Sequence, residues 1–87
     1  MFPQSYAVAA NLGSALLGAN RFSEGVPELE RALGLQPSST LVLNNLGIFY
    51  AKKGDYAHAL DYWNRSLSIE PHQPPIRQAV EAARTRL

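Results

Sequence analysis

The chain has no cysteine among its 87 residues, which removes disulfides and thiolate chemistry and leaves the redox compartment open. Charge is sparse too: Asp, Glu, Lys and Arg make up 17%, and the formal net charge is +1. No broad field is therefore available to attract nucleic acid or an anionic lipid surface. No apolar run approaches the roughly 20 residues that a bilayer-spanning helix needs. The opening Met-Phe-Pro-Gln lacks a basic stretch followed by an apolar one and does not read as a secretory signal. A signal in a longer parent chain would lie outside it. No segment alternates with period two, so no strand is expected. A glycine-rich phosphate loop is missing. Ser, His and Asp occur, but nothing sets them out as nucleophile, base and orienter. His58 and His72 are isolated, without a second ligand at helical spacing, and read as surface residues rather than a metal site. No cofactor and no catalytic centre are expected.

What the chain has is a period. Pro3, Pro37 and Pro71 stand 34 residues apart. Leu12-Gly13 returns as Leu46-Gly47, Asn11 as Asn45, Val8 as Val42, Arg31 as Arg65 and Leu33 as Leu67. Phe22 becomes Tyr56, and Leu35 becomes Ile69. A repeat of this length marks stacked supersecondary units, each burying an apolar face on its neighbour. Such an architecture favours an interaction surface over a reaction centre.

Apolar spacings of three and four predict five helices. The first spans roughly 5–18, with Tyr6, Val8, Ala9, Leu12 and Leu16 on one side, and stops at Gly18-Ala19-Asn20. Ser23 offers a cap for the second, roughly 23–35, with Glu24 beside its positive end. Pro27 lies deep enough to clash with the preceding turn, so this helix should start late or be distorted. Ser38 or Ser39 caps the third, roughly 39–53, which carries Leu43, Leu46, Phe49 and Tyr50 inward and ends at Gly54. Asp55 caps the fourth, roughly 56–69, with Ala59, Leu60, Trp63 and Leu67 on one face. After Pro71-His72-Gln73-Pro74-Pro75 a last helix, roughly 75–86, sets Ile76, Val80, Ala83 and Leu87 against Arg77, Gln78, Glu81, Arg84 and Arg86 on the solvated side. Lys52-Lys53 offsets a helix dipole. The arginines of the last helix form a mild basic edge, solvated by default or facing an acidic partner.

Helix, turn, helix and proline break every 34 residues resemble the tetratricopeptide repeat, whose signature is W-x2-L-G-x2-Y…A-x3-F…P. The second unit follows it as Leu43-x2-Leu46-Gly47-x2-Tyr50, Ala59-x3-Trp63 and Pro71. The first follows it more loosely, as Ala9-x2-Leu12-Gly13-x2-Leu16, Gly25-x3-Leu29 and Pro37. Ala9 is small where the family is bulky, and Gly25 lacks the methyl that packs at the helix–helix contact, so the first unit reads as a degraded copy. The resemblance implies an all-α fold, a right-handed superhelical stack of antiparallel helix pairs. It divides one domain, 1–87, into a remnant of a preceding repeat (1–4), repeats at 6–39 and 40–73, and a capping helix at 74–87. Pro3 takes the terminal-proline place of that preceding unit and Met1 an apolar one, so the chain is expected to be a piece or descendant of a longer array.

The resemblance also implies a function: binding an extended peptide or a partner helix in a concave groove lined by the first helix of each pair. In that registry the groove carries Ala7, Asn11, Ser14, Leu41, Asn44, Asn45 and Ile48, with Gln78 at the edge. Asn11 and Asn45 are the sharpest candidates, because a carboxamide can bond both the N–H and the C=O of a peptide backbone. Their other reading is local capping or contact with water. A known mode of the family grips a partner's C-terminal carboxylate with Lys and Asn side chains. Here Ala10, Pro75 and Ala79 stand where that clamp has cations, and only Asn45 is kept, so a neutral or apolar segment suits the groove better. The expected partner is a protein or peptide, not nucleic acid or a membrane. A structural spacer, or self-association through the exposed repeat edges, is the second expectation.

Overall fold

The computed structural model describes residues 5–87, so Met1 and Pro3, with the remnant repeat assigned to 1–4, lie outside the described residues. Five helices follow in order: α1 (Tyr6–Gly18), α2 (Phe22–Leu35), α3 (Thr40–Lys52), α4 (Tyr56–Ile69) and α5 (Pro74–Arg84). No strand occurs among the described residues. α1 pairs with α2 and α3 with α4; α3 also lies against α1 and α2, and α5 closes the stack on α4. The fold is an all-α stack of helical hairpins measuring 45 × 25 × 16 Å.

The two hairpins turn by the same device. Asn20 and Gly54 adopt left-handed backbone, with φ of 61° and 82°. Each is followed by a return bond across the helix end, Arg21 N–H to Leu16 C=O at 2.8 Å and Asp55 N–H to Tyr50 C=O at 2.9 Å. A second pair, Asn20 to Leu17 and Gly54 to Ala51, is 3.0 Å in both units. This double closure uses carbonyls that a helix end leaves free, and it needs a residue that tolerates positive φ. It also sets where the next helix starts. Hence α2 begins at Phe22 with Arg21 in the cap position and no side-chain cap, rather than behind Ser23. Arg21 instead pairs with Glu24 at 2.7 Å. Pro27 neither delays α2 nor interrupts it, and the helix runs on to Leu35.

Three of the other starts are capped by a side-chain oxygen, while α5 opens on Pro74 behind Gln73 with no side-chain cap. Ser5 accepts from Val8 N–H at 3.5 Å and Ser39 from Val42 N–H at 3.2 Å. Asp55 accepts from His58 N–H at 3.2 Å, and this bond holds its carboxyl below the usual range.

The core has two halves. Ala9, Ala10, Leu17, Leu29, Ala32, Val42, Leu46 and Phe49 form one. Ala59, Leu60, Trp63, Val80 and Ala83 form the other. Tyr50 packs against both. It stacks on Tyr62 at 5.6 Å and meets Phe49 edge-on at 4.9 Å. Two apolar expectations move outward. Leu87 lies beyond α5 and is exposed, because the helix ends at Arg84. Val8 and Leu12 are 58% and 46% exposed, whereas Val42 and Leu46, the same residues one repeat later, are 0% exposed. The first hairpin covers the second pair; no described element stands in front of the first.

The glycines explain the helix spacing. A Cβ on Gly47 would collide with the indole of Trp63, and one on Gly13 would lie 2.7 Å from Leu29 Cγ. Gly25, expected to be a deficient alanine, is the opposite. A Cβ there would lie 2.6 Å from Leu17 Cδ1, 2.9 Å from Leu16 Cβ and 3.1 Å from the Gly13 carbonyl. α1 and α2 approach closely because both faces are bare at the crossing. Gly34, on the same helix, has nothing within 4 Å of its missing Cβ. Two alanine substitutions in α2 should therefore have opposite signs. Gly34→Ala should stabilise by about 1 kcal/mol through helix propensity. Gly25→Ala should destabilise by about 1–3 kcal/mol through overpacking. Urea denaturation of the two variants measures both, and a stabilised Gly25→Ala would refute the close-approach account.

Candidate functional site

The residues assigned to the groove sit on α1, α3 and α5, whose positions follow from the packing above. Ala7, Asn11, Leu41, Ile48 and Gln78 are exposed, and Ser14, Asn44 and Asn45 are half-buried. α1 and α3 are joined on this side by a direct bond: Asn45 Nδ2 donates to Ser14 Oγ at 2.9 Å. A second link, between the Tyr6 and Ser39 hydroxyls at 2.6 Å, ties the start of α1 to the start of α3. Asn11 has no hydrogen bond to another described side chain.

Asn44 is engaged internally. Its Nδ2 donates to Gln73 Oε1 at 2.9 Å, and its backbone carbonyl accepts from Trp63 Nε1 at 3.3 Å. Its Oδ1 is buried without a partner among the described residues. Gln73 in turn places Nε2 at 3.0 Å from Ser66 Oγ and 2.8 Å from the Glu70 carbonyl. Ser66 is fully buried and stands where the first unit has Ala32. A buried hydroxyl requires a partner, and Gln73 supplies it from the segment between α4 and α5. In the sequence Gln73 is only one polar residue in a proline-rich break. The signal that marks it is Ser66, a polar residue on an otherwise apolar face.

No group of three or more His, Cys, Asp or Glu that could hold a metal occurs among the described residues. None of the described helices is long and apolar enough to cross a membrane. Asp55 Oδ2 lies 2.7 Å from His58 Nδ1 on the surface, in a cap and not in a cleft. Tyr62 has its hydroxyl pKa raised by burial. A cavity of about 600 Å³ opens between α2 and α3, and none of the groove candidates lines it.

Gln73→Leu strands the Ser66 hydroxyl and the Asn44 amide, and should cost about 1–3 kcal/mol. Replacing Ser66 by Ala as well should recover part of that loss, since residues in one network couple. Chemical denaturation of the two single variants and the double variant reads the coupling; strictly additive losses would remove the network.

Residues 41–73 match the tetratricopeptide repeat family model. The chain is 35% identical to Protein FlbA of Caulobacter vibrioides over 79% of its length, which is 12% of that protein. It is 32% identical to Cellulose synthase operon protein C of Escherichia coli strain K12 over 69% of its length, 5% of that protein. It is 29% identical to the Tetratricopeptide repeat domain-containing protein PYG7, chloroplastic, of Arabidopsis thaliana over 87% of its length, 25% of that protein. The chain thus spans a quarter or less of each of these relatives.

Proposed function

We propose that this chain, which belongs to the tetratricopeptide-repeat family, is a protein-interaction module that holds an extended peptide or a partner helix across α1 and α3. Repeats of this family are interaction or scaffold modules and are typically not catalytic, and the reading includes no enzymatic step. One observation carries it. The Asn45–Ser14 bond joins α1 and α3 into a continuous surface, with Asn11 free on it and Leu41 and Ile48 exposed beside it. Asn11 and Asn45 are the polar anchors. Each carboxamide offers a donor and an acceptor one repeat apart, while Leu41 and Ile48 supply apolar area for side chains between them. The surface carries no cation among these residues, which suits an uncharged segment.

A second reading rests on Val8 and Leu12. This apolar strip repeats the surface that the second unit buries under the first. Another helical hairpin, from a neighbouring segment or a second copy, would cover it in the same way, making the chain a spacer or a self-associating segment.

Titration of a peptide library against the wild type and an Asn11→Ala/Asn45→Ala double variant tests the first reading. Each lost amide bond is worth about 1 kcal/mol, so affinity should fall about tenfold or more. Unchanged affinity would remove the groove assignment. Sedimentation equilibrium tests the second. Self-association abolished by Leu12→Lys, without peptide binding, would place the function at the end of the stack.

A further inference from the structure

The cavity between α2 and α3 shares no residue with the surface proposed above, and its lining is chemically lopsided. Its walls are Phe22, Val26 and Pro27 from α2, with Phe49 and Tyr50 from α3. At about 600 Å³ it falls within the size range of ligand pockets, about 300–1,000 Å³. The aromatic floor is continuous: Phe22 and Phe49 lie 5.3 Å apart and Phe49 and Tyr50 4.9 Å apart.

Two polar features interrupt this floor. Ser23 also lines the cavity, and its carbonyl would ordinarily accept from the amide four residues on. That residue is Pro27, which has no N–H, so an acceptor inside a helix is left without its helical donor. The second feature is positive charge. Lys53 lines the cavity, with Nζ 5.3 Å from the Phe49 ring centre and 5.9 Å from that of Tyr50. Lys52 Nζ lies 6.0 Å from that of Phe22. Neither lysine is in an ion pair with a described residue. No acidic residue lines the cavity. Nearby carboxylates are committed elsewhere, Glu24 to Arg21 and Asp55 to His58, both at 2.7 Å.

From these features we infer a second binding site, for an acidic peptide segment that presents a bulky apolar side chain beside its carboxylates. A cationic ligand is disfavoured, since the two ammonium groups already lie over the rings and would repel it. A bare inorganic anion would leave the apolar floor unused, and a neutral apolar segment would leave the lysines unpaired. An acidic segment with an aromatic or leucine side chain satisfies both, and its backbone N–H can donate to the Ser23 carbonyl. A segment is also favoured over a membrane surface, because Phe49 is buried and does not project outward.

The test is a ¹H–¹⁵N titration of the labelled chain with the blocked peptide acetyl-Glu-Phe-Leu-Glu-Glu-amide and its twin with lysine for each glutamate. The site predicts saturable shifts at Phe22–Val26 and Phe49–Lys53 with the acidic peptide and none with the basic one. Lys52→Glu with Lys53→Glu, both on exposed positions, should leave the helical spectrum intact and weaken binding about tenfold or more. Pro27→Ala returns a donor to the Ser23 carbonyl, so it should weaken binding while raising the melting temperature. Equal binding of the two peptides, shifts confined to Asn11, Leu41 and Ile48, or no shift at millimolar peptide would overturn the proposal. Shifts at Asn11, Leu41 and Ile48 would instead support the α1–α3 surface, so the two readings fail separately.

Discussion

The indole of Trp63 lies where a side chain at position 47 would be, and that exclusion fixes the distance between α3 and α4. Glycine at 47 lets the ring lie against the α3 backbone; the ring, 4% exposed, then fills the space between the hairpin and α5. Its N–H reaches the Asn44 carbonyl at 3.3 Å, so the contact fixes orientation as well as spacing. The first hairpin solves the same problem differently. Leu29 takes the place of Trp63, and Gly25 joins Gly13 so that the helices close over a smaller side chain. Smaller residues on both sides of a crossing are a matched solution, and the weaker likeness of the first unit to the family signature follows from it.

The two proposed surfaces follow from this packing. With α3 held against α4 on one side, its remaining faces divide between the first hairpin and solvent. The Asn45–Ser14 bond joins α3 to α1 along one line. Phe49 and Tyr50, further along the same helix, floor the cavity against α2. The ends of the stack differ in kind. α5 turns Arg77, Glu81 and Arg84 outward and is at ease in water, while α1 turns out Val8 and Leu12. An apolar end and a charged end do not complement each other head to tail, so any stacking partner at α1 must bring its own apolar face.

Much of this was legible in the sequence, for physical reasons. The period, the helix stops at Asn20 and Gly54, the caps at Ser39 and Asp55 and the core place of Trp63 are set by neighbours within a turn or by a strict repeat. The misreadings share a cause: each depends on what lies opposite. Gly25 reads as a missing methyl until Leu16 and Leu17 are found within reach. Val8 and Leu12 read as core because their later copies are core, and only the presence of a hairpin in front makes them so. Gln73 is one polar residue among prolines until the buried Ser66 hydroxyl is seen beside it. Pro27 signals an unpaired carbonyl, but the aromatic floor next to it comes from a helix more than twenty residues away.

The most direct measurement is the unfolding free energy of Trp63→Ala beside that of Trp63→Phe, by urea denaturation followed in the far ultraviolet. The account predicts a loss of about 3–5 kcal/mol for Ala, most of what a domain this size has, and a clearly smaller one for Phe. A loss below about 1 kcal/mol for Ala, far under the range for an aromatic removed from a packed core, would contradict it.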